Sequence, residues 1–172
     1  MMQWLQAGGI SVASDNIRQP DEDNPRGYFE LESVKRLRTA PTSFDVEVLR
    51  GRAVKLVYRL LYCLPPGYPY RVIVMRRNLE EVIASQRIML KRHGIPIQAS
   101  DERLVSIYER ELEYLRDWLS NNIHIACLWV DYNKLIFDPR SVAGTVNGFL
   151  GDRLDVARML QVNDATLYRC RS

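Results

Sequence analysis

The chain has 172 residues, 24 Lys+Arg against 21 Asp+Glu for a net charge of +3, and a hydrophobic content of 47%. That length suffices for one domain with a real core, and the composition excludes disordered, collagen-like and low-complexity classes. Cys63, Cys127 and Cys170 form no CxxC pair and His93 and His124 are the two histidines, so a disulfide framework and a Cys/His zinc site are both excluded and no metal is expected.

Taken in chain order, residues 1–7 read as a helix stopped by Gly8-Gly9. Ile10 to Ala13 is a short strand candidate, and residues 15–29 form a polar, turn-rich loop. Leu31, Val34 and Leu37 recur at a spacing of three, which predicts a short helix over Glu30 to Arg38, with a second piece over Val46 to Leu49. Ala53 to Val57 is a strand candidate. Pro65-Pro66-Gly67 marks a turn before a second strand, Tyr70 to Met75. Asn78 followed by Glu81 has the spacing of a capping box, opening a helix to Arg92 that Gly94 and Pro96 end. Ser100 or Asp101 caps a longer helix through Leu119, whose stripe is Leu104, Tyr108, Leu112, Leu115 and Leu119. Ile123 to Asp131 is the third strand, with His124 as part of the core. Asp138-Pro139 opens a helix that closes at Gly151, and a last short helix covers Leu154 to Val162.

Apolar strands interleaved with helices predict a single α/β domain over 1–172, three-layered, with a mainly parallel sheet and helices on both faces. No apolar run approaches the roughly 18 residues of a membrane span, and no export signal opens the chain, so a cytoplasmic protein without a membrane span is expected. Charge is unevenly distributed. Residues 71–93 carry six Arg/Lys against two Glu, net +4, while residues 15–32 carry six acids against two Arg, net −4. The overall +3 is too mild to imply nucleic acid.

In open parallel sheets ligands bind beyond the carboxyl ends of the strands, which directs attention to Val57–Arg59, Met75–Asn78 and Asp131–Asn133. Arg76-Arg77 stands where a strand hands over to a helix, a place where guanidiniums and unpaired N–H groups suit a phosphate. Ser85 follows Arg77 by eight residues, roughly 12 Å along a helix axis. Two readings stay open: Arg77 shares an anion with the Ser85 hydroxyl, or it pairs with Glu80 or Glu81.

Arg77-Asn78-Leu79-Glu80-Glu81-Val82-Ile83-Ala84-Ser85 resembles the motif that binds the 3′-phosphate of 3′-phosphoadenosine 5′-phosphosulfate in P-loop sulfotransferases. Asp23-Asn24-Pro25-Arg26-Gly27-Tyr28-Phe29-Glu30 is similar to the Asn-Pro-Gly-aromatic-Glu segment of bacterial sulfotransferases. Asp131-Tyr132-Asn133-Lys134-Leu135, Asp138-Pro139 and Phe149-Leu150-Gly151 resemble further landmarks of that family, in the same order, and Met1 to Ile10 is similar to its first helix. The resemblance runs over essentially the whole chain. It implies a P-loop NTPase-like fold of sulfotransferase type and an enzyme that moves a sulfo group from 3′-phosphoadenosine 5′-phosphosulfate to a hydroxyl or amine acceptor.

Residue by residue, the resemblance implies Arg77 and Ser85 on the 3′-phosphate, Tyr132 near the adenine, and Arg169 with Arg171 in place of a C-terminal basic loop. Lys55 matches a transition-state lysine in a segment that here lacks the histidine following it in cytosolic sulfotransferases. Glu30 is the candidate general base, with a first-turn helix acid as its other reading. Two departures accompany these matches. The strand and Pro-Arg-Ser-Gly-Thr-like loop that hold the 5′-phosphosulfate are not found ahead of the first helix, so the family comparison describes an N-terminally truncated member, inactive over residues 1–172 alone. No Walker lysine pattern occurs either, which weakens a P-loop nucleotide kinase reading. A non-catalytic remnant or interaction module of the same fold is the alternative from a different class.

Overall fold

A computed structural model of the chain describes residues 1–21, 24, 27–95 and 99–164. The elements in order are α1 (Met2–Ala7), α2 (Glu32–Lys35), α3 (Val46–Leu49), β1 (Tyr70–Arg76), α4 (Leu79–Arg92), α5 (Asp101–Ser120), β2 (Ile125–Asp131), α6 (Tyr132–Phe137), α7 (Pro139–Phe149) and α8 (Val156–Gln161). Short 3₁₀ turns cover Pro41–Ser43 and Tyr58–Cys63. The chain is a mixed helix–strand protein, and among the described residues its sheet consists of β1 and β2, paired in parallel. Among the described residues no helix is long and apolar enough to cross a membrane. The described residues divide into two compact units, those of 1–70 with 143–163, and those of 71–142 with Asp164.

In the first unit, Val34, Leu37 and Phe44 form a buried cluster against which Leu31, Val46, Leu49, Val54, Leu56, Leu60 and Leu64 pack. The i, i+3 pair Val34 and Leu37 thus faces inward, as the spacing predicts, although regular helix covers only four residues there. α1 packs against α8. The approach is close because residue 8 has no side chain: a Cβ there would lie 3.0 Å from Met159 Cγ. The Gly8 carbonyl also accepts from Asp155 N–H at 3.1 Å, and Asp155 in turn caps α8 by accepting from Arg158 N–H at 3.0 Å.

The expected strand over residues 53–57 is absent. A single parallel bridge joins Val12 to Ala53, through Ala13 N–H to Ala53 O and Ala53 N–H to Ser11 O, both 2.8 Å. Pairing goes no further because the partner turns away at once, Asp15 N–H donating to Glu30 O at 3.1 Å. Val54 and Leu56 still pack inward while Val57 is exposed, so the alternation of a strand survives without its ladder.

In the second unit, α4 packs on α5, and α5 and α6 pack on β2. Asn78 caps α4 by accepting from Glu80 N–H at 2.9 Å, and Ser100 caps α5 by accepting from Arg103 N–H. The buried side of α5 is its far end, Leu115 and Leu119. β2 starts at Ile125, two residues later than the sequence pattern predicts, and His124 is exposed rather than core. The cause is the turn before it: Asn122 Nδ2 closes onto Trp118 O at 2.6 Å and Ile125 N–H donates to Asn122 O at 3.0 Å.

Candidate functional site

The carboxyl ends of β1 and β2 lie side by side in the second unit, each running into a capped helix. Asp131 ends β2 and caps α6, its Oδ1 accepting from Lys134 N–H at 3.0 Å. Its other oxygen, Oδ2, faces Arg76 Nη2 at 3.4 Å across the strand ends. The Lys134 N–H, and then Arg76, hold the Asp131 carboxyl below the usual range against the opposing effect of partial burial. One residue past Arg76, Arg77 turns along the first turn of α4, and its Nε donates to Glu81 Oε2 at 2.9 Å. The Glu81 side chain is 1% exposed and that of Arg77 26%. Asn133, on the first turn of α6, donates from Nδ2 to Glu81 Oε1 at 3.3 Å. The Arg77 guanidinium carbon lies 5.1 Å from the centre of the Tyr132 ring.

Of the two readings the sequence leaves open for Arg77, the pairing with Glu81 is present. The Glu81 carboxylate, three residues after the Asn78 cap, receives Arg77 and Asn133, a cation and a second donor for a buried charge. Arg77, Glu81 and Ser85 sit at successive i, i+4 positions, so Ser85 continues the same helix face, half-buried, one turn beyond Glu81. Arg76, Arg77, Glu81 and Asp131 together carry no net charge.

A second cluster lies in the first unit. Phe29 adopts φ 51°, in the left-handed region that β-carbons disfavour, and so sets the Tyr28 carbonyl and the Glu30 side chain apart from an ordinary extended path. Lys55 Nζ donates to Tyr28 O at 2.9 Å. The Tyr28 ring carries the Arg18 guanidinium 3.4 Å from its centre and Lys55 Nζ at 5.7 Å, while its hydroxyl donates to the Asp21 carboxylate at 2.6 Å. Glu30 receives Lys35 Nζ at 3.0 Å and Arg18 Nη1 at 3.3 Å. Partial burial pushes the Glu30 carboxyl up. The bond from Lys35 and the charges of Lys35, Lys55 and Arg18 outweigh it and hold the group below its ordinary range. Desolvation lowers the Lys55 pKa, Glu30 opposing and Arg18 adding to the shift.

Lys55 and Glu30 are therefore neighbours within the first unit, although Lys55 stands on an extended segment and not at a strand end. Arg77, Tyr132 and Ser85 belong to the second. Arg169 and Arg171 lie outside the described residues, as do Asp23, Pro25 and Arg26 of the Asn-Pro-Gly segment. Sequence reasoning gives no role to Asn133, which it places only within a strand-end segment, or to Lys35, the groups that fix the two carboxylates. The i, i+4 spacing of Arg77 and Glu81 is a readable signal for one pair; nothing local marks Asn133. No protein-family model matches the chain, and neither a curated protein nor a solved structure is significantly similar to it.

Proposed function

We propose that the chain is a sulfotransferase-type domain of three-layered, P-loop-like α/β fold that binds the 3′-phosphoadenosine part of 3′-phosphoadenosine 5′-phosphosulfate and serves transfer of a sulfo group to a hydroxyl or amine acceptor. One observation carries the proposal: a partly exposed guanidinium, oriented by a buried carboxylate, stands beside an aromatic ring at the carboxyl ends of two parallel strands. These groups fit the ligand. Arg77 offers a fork of N–H donors suited to a phosphate, Ser85 a hydroxyl on the same helix face, and Tyr132 a flat apolar surface for a purine.

When bound, the phosphosulfate supplies an activated sulfo group, whose bond to the leaving phosphate breaks as the acceptor oxygen or nitrogen bonds to sulfur. In a version that also carries the loop holding the 5′-phosphosulfate, Lys55 steadies the negative charge of the leaving oxygen and Glu30 takes the acceptor's proton. Their proximity in the first unit supports assigning them to one step.

A non-catalytic interaction module of the same fold is favoured by a different observation, that Arg76 and Arg77 are each already paired with a carboxylate. Calorimetry on residues 1–172 separates the two. Adenosine 3′,5′-bisphosphate should bind about ten- to a hundredfold more tightly than adenosine 5′-monophosphate, the size of a charge-assisted hydrogen bond, and Arg77→Ala should remove most of the difference. Equal affinities, or no binding of either nucleotide, decide for the non-catalytic module.

A further inference from the structure

The Arg77–Glu81 pair raises a question of its own. A carboxylate beside the cation that is to hold a phosphate is either a competitor for that cation or the device that aims it. Three observations bear on the choice. Glu81 has a side chain only 1% exposed, so its carboxylate is part of the interior and not a surface group that swings aside when an anion arrives. It is held from a second element, Asn133 Nδ2 lying 3.3 Å from Oε1 while Arg77 Nε lies 2.9 Å from Oε2. Asn133 is the immediate neighbour of Tyr132, the ring beside which the Arg77 guanidinium sits.

We infer that Glu81 is a positioning residue: clamped by Asn133, it fixes the Arg77 guanidinium through Nε and so sets the preference for a 3′-phosphorylated adenosine ligand. This rests on the reading of Arg77 and Tyr132 as the 3′-phosphoadenosine site. The physical basis is pre-organisation. Arginine carries five N–H donors, and the Nε bond commits one of them while fixing the plane of the fork. Without it a long side chain with many rotamers has to be ordered when the ligand binds, a cost that lowers affinity. Burying the Glu81 carboxylate without its cation is expensive, which keeps Arg77 on it with or without ligand. Asn133 then ties the phosphate-facing arginine to the first turn of α6, which bears the purine-facing tyrosine, so the two contacts form at a fixed separation.

The readout is the ratio of monophosphate to bisphosphate dissociation constants, measured by calorimetry on the full chain for the wild type, Glu81→Gln, Glu81→Ala and Asn133→Ala, with thermal melting as the check on folding. Glutamine keeps an acceptor for Arg77 Nε and loses only the charge; alanine loses both. Positioning predicts that Glu81→Ala lowers the ratio about tenfold, Asn133→Ala lowers it severalfold, and Glu81→Gln stays within about threefold of the wild type. Competition predicts the reverse, a ratio that rises in both Glu81 variants, and that result overturns the inference. An unchanged ratio in folded Glu81→Ala overturns it too. Should Glu81→Ala not fold, Asn133→Ala decides alone: a severalfold drop supports the clamp and an unchanged ratio refutes it. A wild type with no preference for the bisphosphate instead fails the 3′-phosphoadenosine reading itself, whereas a preference that survives Glu81→Ala fails only the role of Glu81.

Discussion

Arg77→Ala probes the strand-end cluster through stability, independently of any ligand. The substitution leaves the Glu81 carboxylate in the interior, 1% exposed, with the 3.3 Å bond from Asn133 still in place. Removing one partner of a buried ion pair costs about 3–5 kcal/mol, mostly as the desolvation penalty of the charge left behind. Arg77 is 26% exposed and Asn133 continues to donate, so the lower end applies, about 3 kcal/mol. With a urea m-value of about 2 kcal/mol/M for a chain of this size, the midpoint should fall by about 1.5 M. The assay is a urea titration followed by tryptophan fluorescence, Trp118 and Trp129 lying in the same unit as the pair. Arg77→Ala/Glu81→Gln is the control, because neutralising the stranded carboxylate should recover about half of the loss. A midpoint shift under about 0.3 M in Arg77→Ala, or a double variant no more stable than the single one, would refute the reasoning.

Gly8→Val should destabilise the first unit by about 1–3 kcal/mol through overpacking, since even a Cβ at residue 8 would lie 3.0 Å from Met159 Cγ, and a melting temperature equal to the wild type's would contradict that close approach. Acid should destabilise the fold through Asp15, Glu30 and Asp131: backbone N–H donors to Asp15 and Asp131, and for Glu30 the Lys35 bond acting against burial, set their carboxyls below the ordinary 3.8 and 4.5. The folded state then binds fewer protons than the unfolded one, so the urea midpoint should hold steady down to about pH 5 and decline below it as these groups protonate; a midpoint that rises on acidification would contradict the sign.

Where a local pattern meets a local cause, the fold is readable from the sequence. Asn78 and Ser100 cap helices because short polar side chains reach N–H groups two or three residues on, whatever the rest of the chain does. Tyr70 to Met75 and the apolar run before Asp131 read as strands because each is a β-rich run bounded by turn residues. The misplacements have non-local causes. Residues 53–57 have the sequence of a strand, yet strand formation needs a partner that stays alongside, and the partner turns away at Asp15. α6 escapes notice because Asp131 ends a strand and caps a helix at once, with no intervening loop residue to punctuate the change. The same distinction governs the site. The Arg77–Glu81 spacing is local and visible, whereas the clamp from Asn133 joins residues 52 apart and requires the fold.

Both clusters share a property that bears on the proposed chemistry: the basic groups that build them are each committed to a neighbour. Arg76 and Arg77 face Asp131 and Glu81; Lys55 is anchored on the Tyr28 carbonyl; Lys35 and Arg18 hold Glu30. The net +4 of residues 71–93 is therefore a poor guide to anion binding, because the charges at the strand ends cancel locally and what remains is a directional set of donors. For Glu30 the same arrangement weakens basicity. A carboxyl held below its ordinary range stays ionised, as a proton acceptor must, but two cations lower its affinity for the acceptor's proton. An acceptor able to draw Lys35 or Arg18 away would restore that affinity as it binds. Within the proposed reaction, the ion pairs to Lys35 and Arg18 are thus the contacts that set how readily Glu30 takes a proton.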